Sequence, residues 1–363
     1  MGALPFIPGL LSASDLLGHT QRRLIIVWLD GGMSHLDTFD GKPEAAPNIK
    51  GDLIARETSL EGVFFSEHLP RLSARMKELS LVRSITSPEG NHDRGSCYML
   101  TGRRPNPVIT YPSFGSVFGQ DAYRVDAPLP SYVAIPDAHY YANQGFLPLA
   151  HGPFELGGTP GVKGFSVRHL QPSPEMSQAF ELLQKVDSLG GPPQSASETA
   201  RDQFLQQARY LSLNSDVRAI FDIHQESQKL RDQYGRHQLG SSCLLARRLI
   251  EGGVRTVFVR DRGWDPHRNV VNELTYGFPP KLEALDQSVS ALFDDLKQRG
   301  MLENTLVLVA SEFGRTPRIN ASGGRDHWSR ASSVLLFGAG LEPGTVYGKT
   351  DAKGEEPLEN PVS

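Results

Sequence analysis

Three apolar runs of strand length each end in residues of the type that binds metals or anions. Leu24-Ile25-Ile26-Val27-Trp28-Leu29 runs straight into Asp30-Gly31-Gly32. Thr256-Val257-Phe258-Val259 is followed closely by Gly263-Trp264-Asp265-Pro266-His267. Thr305-Leu306-Val307-Leu308-Val309-Ala310 ends in Ser311-Glu312-Phe313-Gly314-Arg315, and Gly324-Arg325-Asp326-His327-Trp328 comes shortly after. Continuous apolar runs suit strands buried on both faces. In an open α/β sheet, ligands bind outside the carboxyl ends of the strands. Acids and histidines gathered at that edge point to a metal-dependent active site. Acidic residues and glycines after strands also mark plain turns. That accounts for one such end more easily than for three.

Between these runs the spacing is helical. Leu69, Leu72, Met76 and Leu79 follow a helical period, and Leu81 to Ile85 reads as a short strand. Asn91 to Leu100 opens a second helix. From Arg103 to about Pro174 the chain is rich in Pro, Gly and aromatics, the composition of loops and short strands over a sheet edge. Stretches 178–186, 202–211 and 217–234 read as helices, with a Gly-Gly-Pro-Pro linker inside 188–197. Gln238 to Glu251 and Pro280 to Arg299 are amphipathic helices, each followed by glycine. Ser333 to Phe337 is a last strand. The fold class is therefore α/β, a mostly parallel sheet between helices with loop and helical insertions near 103–235. We expect one domain over 21–363.

Bulk properties exclude several classes. The 363 residues carry a net charge of -4 and lack the basic stripe of a nucleic-acid binder. No apolar run approaches the roughly 20 residues of a membrane span. Cys97 and Cys243 have neither metal-ligand nor disulfide spacing and read as small buried hydrophobes. Segment 1–20 is apolar and rich in small residues, but no Lys or Arg precedes it, and Arg22-Arg23 follows it. It resembles the remnant of an export signal, which predicts a periplasmic or secreted protein, the cytoplasm being the alternative. The polar stretch from Asp351 to Ser363 shows no closing helix or strand and reads as a truncated end.

The run from Leu29 to Asp40 (Leu-Asp-Gly-Gly-Met-Ser-His-Leu-Asp-Thr-Phe-Asp) resembles the opening of the DUF1501 family. So do Ser-Glu-His-Leu-Pro at 66–70, Met-Leu-Thr-Gly at 99–102, Gly-Trp-Asp at 263–265, Glu-Phe-Gly-Arg-Thr-Pro at 312–317 and Gly-Arg-Asp-His-Trp at 324–328. These motifs cover nearly the whole chain. The family is similar to the alkaline phosphatase and sulfatase superfamily. That resemblance implies a parallel sheet between helices and one or two divalent ions.

It also implies site residues. Asp30 matches the metal-binding acid after the first strand. Asp265, His267 and His327 match an Asp-His-His set that leaves a coordination position open. Glu312-Phe313-Gly314 stands where the superfamily has Asp-His-Gly, so Glu312 keeps a carboxylate and Phe313 removes a ligand. His92 falls at the nucleophile position, ten residues before Gly102. It serves as metal ligand, general acid/base or covalent nucleophile, with Ser96 and Thr86 as nearby hydroxyls. The sulfatase Cys-x-Pro-x-Arg pattern is missing. Arg315 is either an anion clamp or a strand-end salt bridge, and Arg94 and Arg325 are further clamp candidates. His35 and Asp37 orient ligands or sit in a turn.

The resulting expectation is a hydrolase of a phosphate or sulfate ester that uses zinc, magnesium, manganese or calcium. Its substrate would be a small-molecule or glycan ester. The rivals are a non-catalytic binding or scaffold protein that kept the fold, and an isomerase or transferase acting on phosphosugars.

Overall fold

A computed structural model describes residues 22–120, 129–162, 214–271 and 278–363, with isolated positions between 164 and 211. Among these, eight strands form one sheet: β1 (Arg23–Asp30), β2 (Ser80–Ile85), β3 (Tyr132–Ile135), β4 (Phe154–Glu155), β5 (Thr256–Arg262), β6 (Thr305–Ala310), β7 (Ser332–Phe337) and β8 (Val346–Tyr347). Their spatial order is β8-β2-β7-β6-β1-β5-β3-β4. Every neighbouring pair is parallel except the two made by β7, which runs antiparallel to both β2 and β6.

Strand alternation explains why helices cover both faces. Successive side chains of β1 point to opposite sides. Ile25, Val27 and Leu29 enter one core, which also holds Leu244, Leu249, Leu285 and Leu292. Leu24, Ile26 and Trp28 enter a second core with Leu100, against which Phe114 and Phe118 pack. The first core is roofed by two long helices, the second by two shorter ones. In chain order these are α1 (His92–Thr101), α2 (Phe114–Gln120), α3 (Gln238–Glu251) and α4 (Phe278–Gln298). In α4 the buried residues Leu282, Leu285, Val289, Leu292 and Leu296 recur at helical spacing. Each fully buried Leu or Val stabilises the fold by about 1.5–3 kcal/mol. No helix is long and apolar enough to cross a membrane, among the described residues. Both cysteines are buried and unpaired.

Three expectations need correction. The stretch 69–79 is not one helix but a short helix Pro70–Ala74 and a 3-10 turn Met76–Glu78. Its four apolar residues are nevertheless fully buried, so the period marked the buried face and missed the break. The stretch 217–234 is likewise divided, into Ser215–Phe221, Ile223–Gln225 and Gln228–Tyr234. Asp222 accepts from the His224 backbone N–H at 2.9 Å and Ser227 from that of Leu230 at 3.2 Å. These side chains compete with the helical backbone and restart the helix. The C-terminal stretch does contain a strand, Pro357–Glu359, paired antiparallel with Lys349–Thr350. The turn between them closes on Asp351, which accepts from the backbone of Lys353 and Glu355. Within 178–186, positions 178, 179, 181–183 and 185 are helical as expected, whereas segment 1–20, the linker at 188–197 and all of 202–211 except Leu211 lie outside the described residues.

Candidate metal centre

The three strands whose ends carry the motifs are neighbours at the middle of the sheet. Central β1 lies between β5 and β6, so the loops after all three open on one edge. Gly31, at φ +130°, lets the β1 loop touch the β5 loop: a Cβ there would stand 2.8 Å from the Trp264 carbonyl carbon. His92 opens α1, whose start is set by Asn91 as N-cap. His327 lies in a small hairpin opposite Arg315.

One ligand atom from each of His92, Asp265, His267 and His327 falls within 4.8 Å of the other three. His267 Nε2 is 3.0 Å from His327 Nε2 and 3.0 Å from Asp265 Oδ1. His92 Nε2 is 3.5 Å from Asp265 Oδ2. The four side chains are 27 to 42% exposed, so the cluster faces solvent.

Each imidazole is held from behind through Nδ1. His92 Nδ1 meets Glu312 Oε1 at 2.7 Å, His267 Nδ1 meets Asp326 Oδ1 at 3.2 Å, and His327 Nδ1 meets the Gly90 carbonyl at 3.0 Å. An acceptor on Nδ1 keeps the proton there and leaves Nε2 free as a ligand or base. Three Nε2 atoms and a carboxylate thus converge. This donor set fits a divalent ion, and its imidazoles suit zinc or another transition ion better than magnesium or calcium, which take oxygen ligands.

The remaining residues fall into two groups. Glu312 and Arg315 adjoin the cluster. Glu312 is fully buried and also accepts from the Gly31 N–H at 3.1 Å. Arg315 is fully buried too; it pairs with Asp265 and donates to the Gly31 and Gly32 carbonyls, so its fork is engaged inward. Asp30, Arg94 and Arg325 are bound elsewhere. Asp30 is gripped by Arg260 at 2.6 Å, Arg94 pairs with Glu89 at 3.1 Å, and Arg325 is buried against both oxygens of Asp37 at 2.6 and 3.1 Å. Asp37 therefore anchors an arginine, and His35, fully buried, bonds the Gly354 carbonyl. Ser96 lies on the buried face of α1, and Thr86 bonds through its backbone to Val362.

Phe313 fills the place between the imidazoles and the sheet. Its ring centroid lies 5.1 Å from that of His92 and 4.9 Å from that of His327, and it is 1% exposed. Asp30 and Glu312 form no metal-type cluster among the described residues. The Arg260 guanidinium neutralises the first, and His92 with backbone N–H groups holds the second.

Charge in the cluster is strongly coupled. Hydrogen bonding to Asp265, then to Glu312, pushes the His92 pKa up to about 9. Burial alone would raise Asp265, but hydrogen bonding from His92 and the charge of Arg315 hold its carboxyl well below the usual range. Burial also works against ionised Glu312, and the His92 hydrogen bond overcomes it. His327 is pushed down by burial, then by the charges of Arg315 and His92.

Sequence reasoning missed Asp326, Arg260 and the Gly90 carbonyl. Asp326 immediately precedes His327 in the Gly-Arg-Asp-His-Trp motif. Arg260 interrupts an apolar strand and sits in register with Trp28, so it projects beside β1. A backbone carbonyl leaves no sequence signal.

The model of the family described as "Protein of unknown function (DUF1501)" matches residues 21–363. The chain belongs to the DUF1501 family. No curated protein matches it. Solved structures similar to this DUF1501 chain include the PsFucS1 sulfatase from Pseudoalteromonas sp., at 15% identity and TM-score 0.41, covering 94% of this chain and 68% of that one. A protein of the alkaline phosphatase superfamily from Vibrio parahaemolyticus is similar at 10% identity and TM-score 0.42, covering 99% and 74%. Alkaline phosphatase from the Antarctic bacterium TAB5 is similar at 12% identity and TM-score 0.35, covering 91% and 95%.

Proposed function

We infer that this DUF1501 protein is a hydrolase of a phosphate or sulfate ester built around one divalent ion. The observation that carries the reading is the convergence of three outward-facing Nε2 atoms and one carboxylate at the carboxyl edge of the sheet. Asp265, His267 and His327 would hold the ion, with zinc favoured by the donors. When bound, such an ion supplies Lewis acidity toward the anionic group and its attacking water.

The chain's own residues do the rest. Arg315 holds Asp265 in place, and Asp326 and the Gly90 carbonyl aim His267 and His327. Glu312 keeps the His92 proton on Nδ1 or stabilises the doubly protonated ring. His92 Nε2 then faces the reacting group as the proton donor or acceptor. A buried carboxylate behind an imidazole is the arrangement that fixes tautomer and orientation in acid/base catalysis.

The test is turnover of a panel of phosphate and sulfate esters by protein loaded with zinc, manganese or magnesium, against metal-stripped protein. Metal-dependent turnover supports the reading. No turnover of any ester by protein shown to hold one ion per chain would remove it in favour of a binding role.

A further inference from the structure

Beside the metal centre, two arginines share one carboxylate. Glu89 is 8% exposed, and its Oε2 meets Arg94 Nε at 3.1 Å while its Oε1 meets Arg104 Nε at 3.1 Å. Both contacts use Nε. The two arginine side chains are 61 and 64% exposed, so guanidinium surface stays open to solvent. Two positive charges against one negative leave a surplus of one. Asp93, on the same helical turn, makes no ion pair with either arginine, among the described residues.

Position ties this pair to the metal centre. Glu89 precedes Gly90, whose carbonyl orients His327, and Asn91, which caps the helix that begins at His92. Arg94 is two residues beyond His92 on α1, an advance of about 3 Å along the axis and a rotation of about 200° around it, so the arginine pair stands across the helix from His92. Arg104 returns to the same carboxylate because the chain reverses after Gly102 (φ +67°) and folds back on the helix, where the Arg103 carbonyl accepts from Cys97 Sγ at 3.4 Å. A segment of four residues therefore carries the anchor of the arginines, the support of His327 and His92 itself.

We propose that Arg94 and Arg104, splayed on Glu89, form an anion subsite for a second negative group of the substrate, about a helix width (roughly 10 Å) from the group at the metal centre. The substrate class is then an ester that carries a further sulfate, phosphate or carboxylate. Guanidinium forks take such oxyanions bidentately, and pinning each fork through Nε lowers the entropy lost on binding. Neutralising only half of the pair's charge keeps the subsite attractive while holding its geometry. The inference rests on the ester-hydrolase reading for what occupies the metal centre.

The experiment compares two inert probes on zinc-loaded full-length protein by calorimetry: an alkylphosphonate, and the same alkylphosphonate ending in a sulfonate. The sulfonate-tailed probe should bind about tenfold tighter, the gain of one charge-assisted contact. Arg94→Gln combined with Arg104→Gln should abolish that ratio, and raising ionic strength should shrink it. Equal affinities in the wild type, or a ratio that survives the double substitution, would overturn the subsite while leaving the hydrolase reading intact. Failure of both probes to bind would overturn the subsite and the hydrolase reading together. Turnover of simple monoesters, measured in parallel, tests the hydrolase reading separately.

Discussion

His92 Nδ1 and Glu312 Oε1 stand 2.7 Å apart, one ring half-exposed and the other group fully buried. The carboxylate cannot reach solvent, so it relies on the imidazole and on backbone N–H groups for its charge. This arrangement makes the basicity of His92 depend on Glu312. In metal-free Glu312→Gln, the His92 pKa should fall from about 9 toward its ordinary value of 6.5, with Asp265 still holding part of the rise. In the metal-loaded variant, turnover should fall roughly 10²-fold, the range that acid/base groups supply. An NMR titration of the imidazole checks this. An unmoved His92 pKa would sever the two residues functionally.

Metal binding should be proton-linked. Below about pH 9, His92 in the metal-free protein carries a positive charge beside the ligand atoms. A divalent ion repels that charge, so binding drives the proton off and affinity rises as pH is raised toward 9. His327, pushed below its ordinary value, is already neutral at pH 7 and adds no such term there. Calorimetry at pH 7.5 in buffers of contrasting ionisation enthalpy measures the protons released. Zero release would contradict the coupling.

How much of this was legible in the sequence follows from physics. The strands of the centre could be read because a run buried on both faces has no polar positions to confuse it. Asp265, His267 and His327 could be read because they follow such runs and match a motif. The fate of Asp30 could not, because Arg260 comes from another strand and only register brings them together. Arg315 read equally as an anion clamp or a strand-end salt bridge, and the hairpin turns its fork onto Gly31, Gly32 and Asp265. The broken helices were hidden because apolar period reports the buried face and not the backbone bonds that a cap interrupts.

Metal stoichiometry should be one per chain. Asp30 is neutralised by Arg260, and Phe313 occupies the space beside Glu312. Asp30→Asn should therefore leave metal content unchanged, whereas His267→Ala should lose the ion. Phe313→Ala should cost about 3–5 kcal/mol of stability from the lost ring and the cavity left behind. Elemental analysis of dialysed protein and chemical denaturation measure the two effects. Two ions per wild-type chain, with one lost in Asp30→Asn, would restore a second site.

A final prediction lies away from the metal centre. Arg247 is fully buried, and its guanidinium reaches Glu226 at 2.6 Å and Glu251 at 2.5 Å. Arg248 also reaches Glu226, at 2.5 Å. Burial works against ionised Glu226, but the two arginines outweigh it and hold its carboxyl below the usual range. A depressed folded-state pKa contributes stability that is fully present above the unfolded value, about 4.3. That stability is lost as pH falls through the lower, folded value. Glu226→Gln should accordingly destabilise the protein by about 1.5–3 kcal/mol at pH 7, since it removes one charged hydrogen-bond partner of the buried guanidinium while Glu251 and Asp295 remain. The gap to wild type should narrow as the pH is lowered below 4, where the wild-type carboxylate itself begins to protonate. Urea unfolding of both proteins at several pH values measures the gap, and a gap independent of pH would show that Glu226 acts through packing and not through its charge.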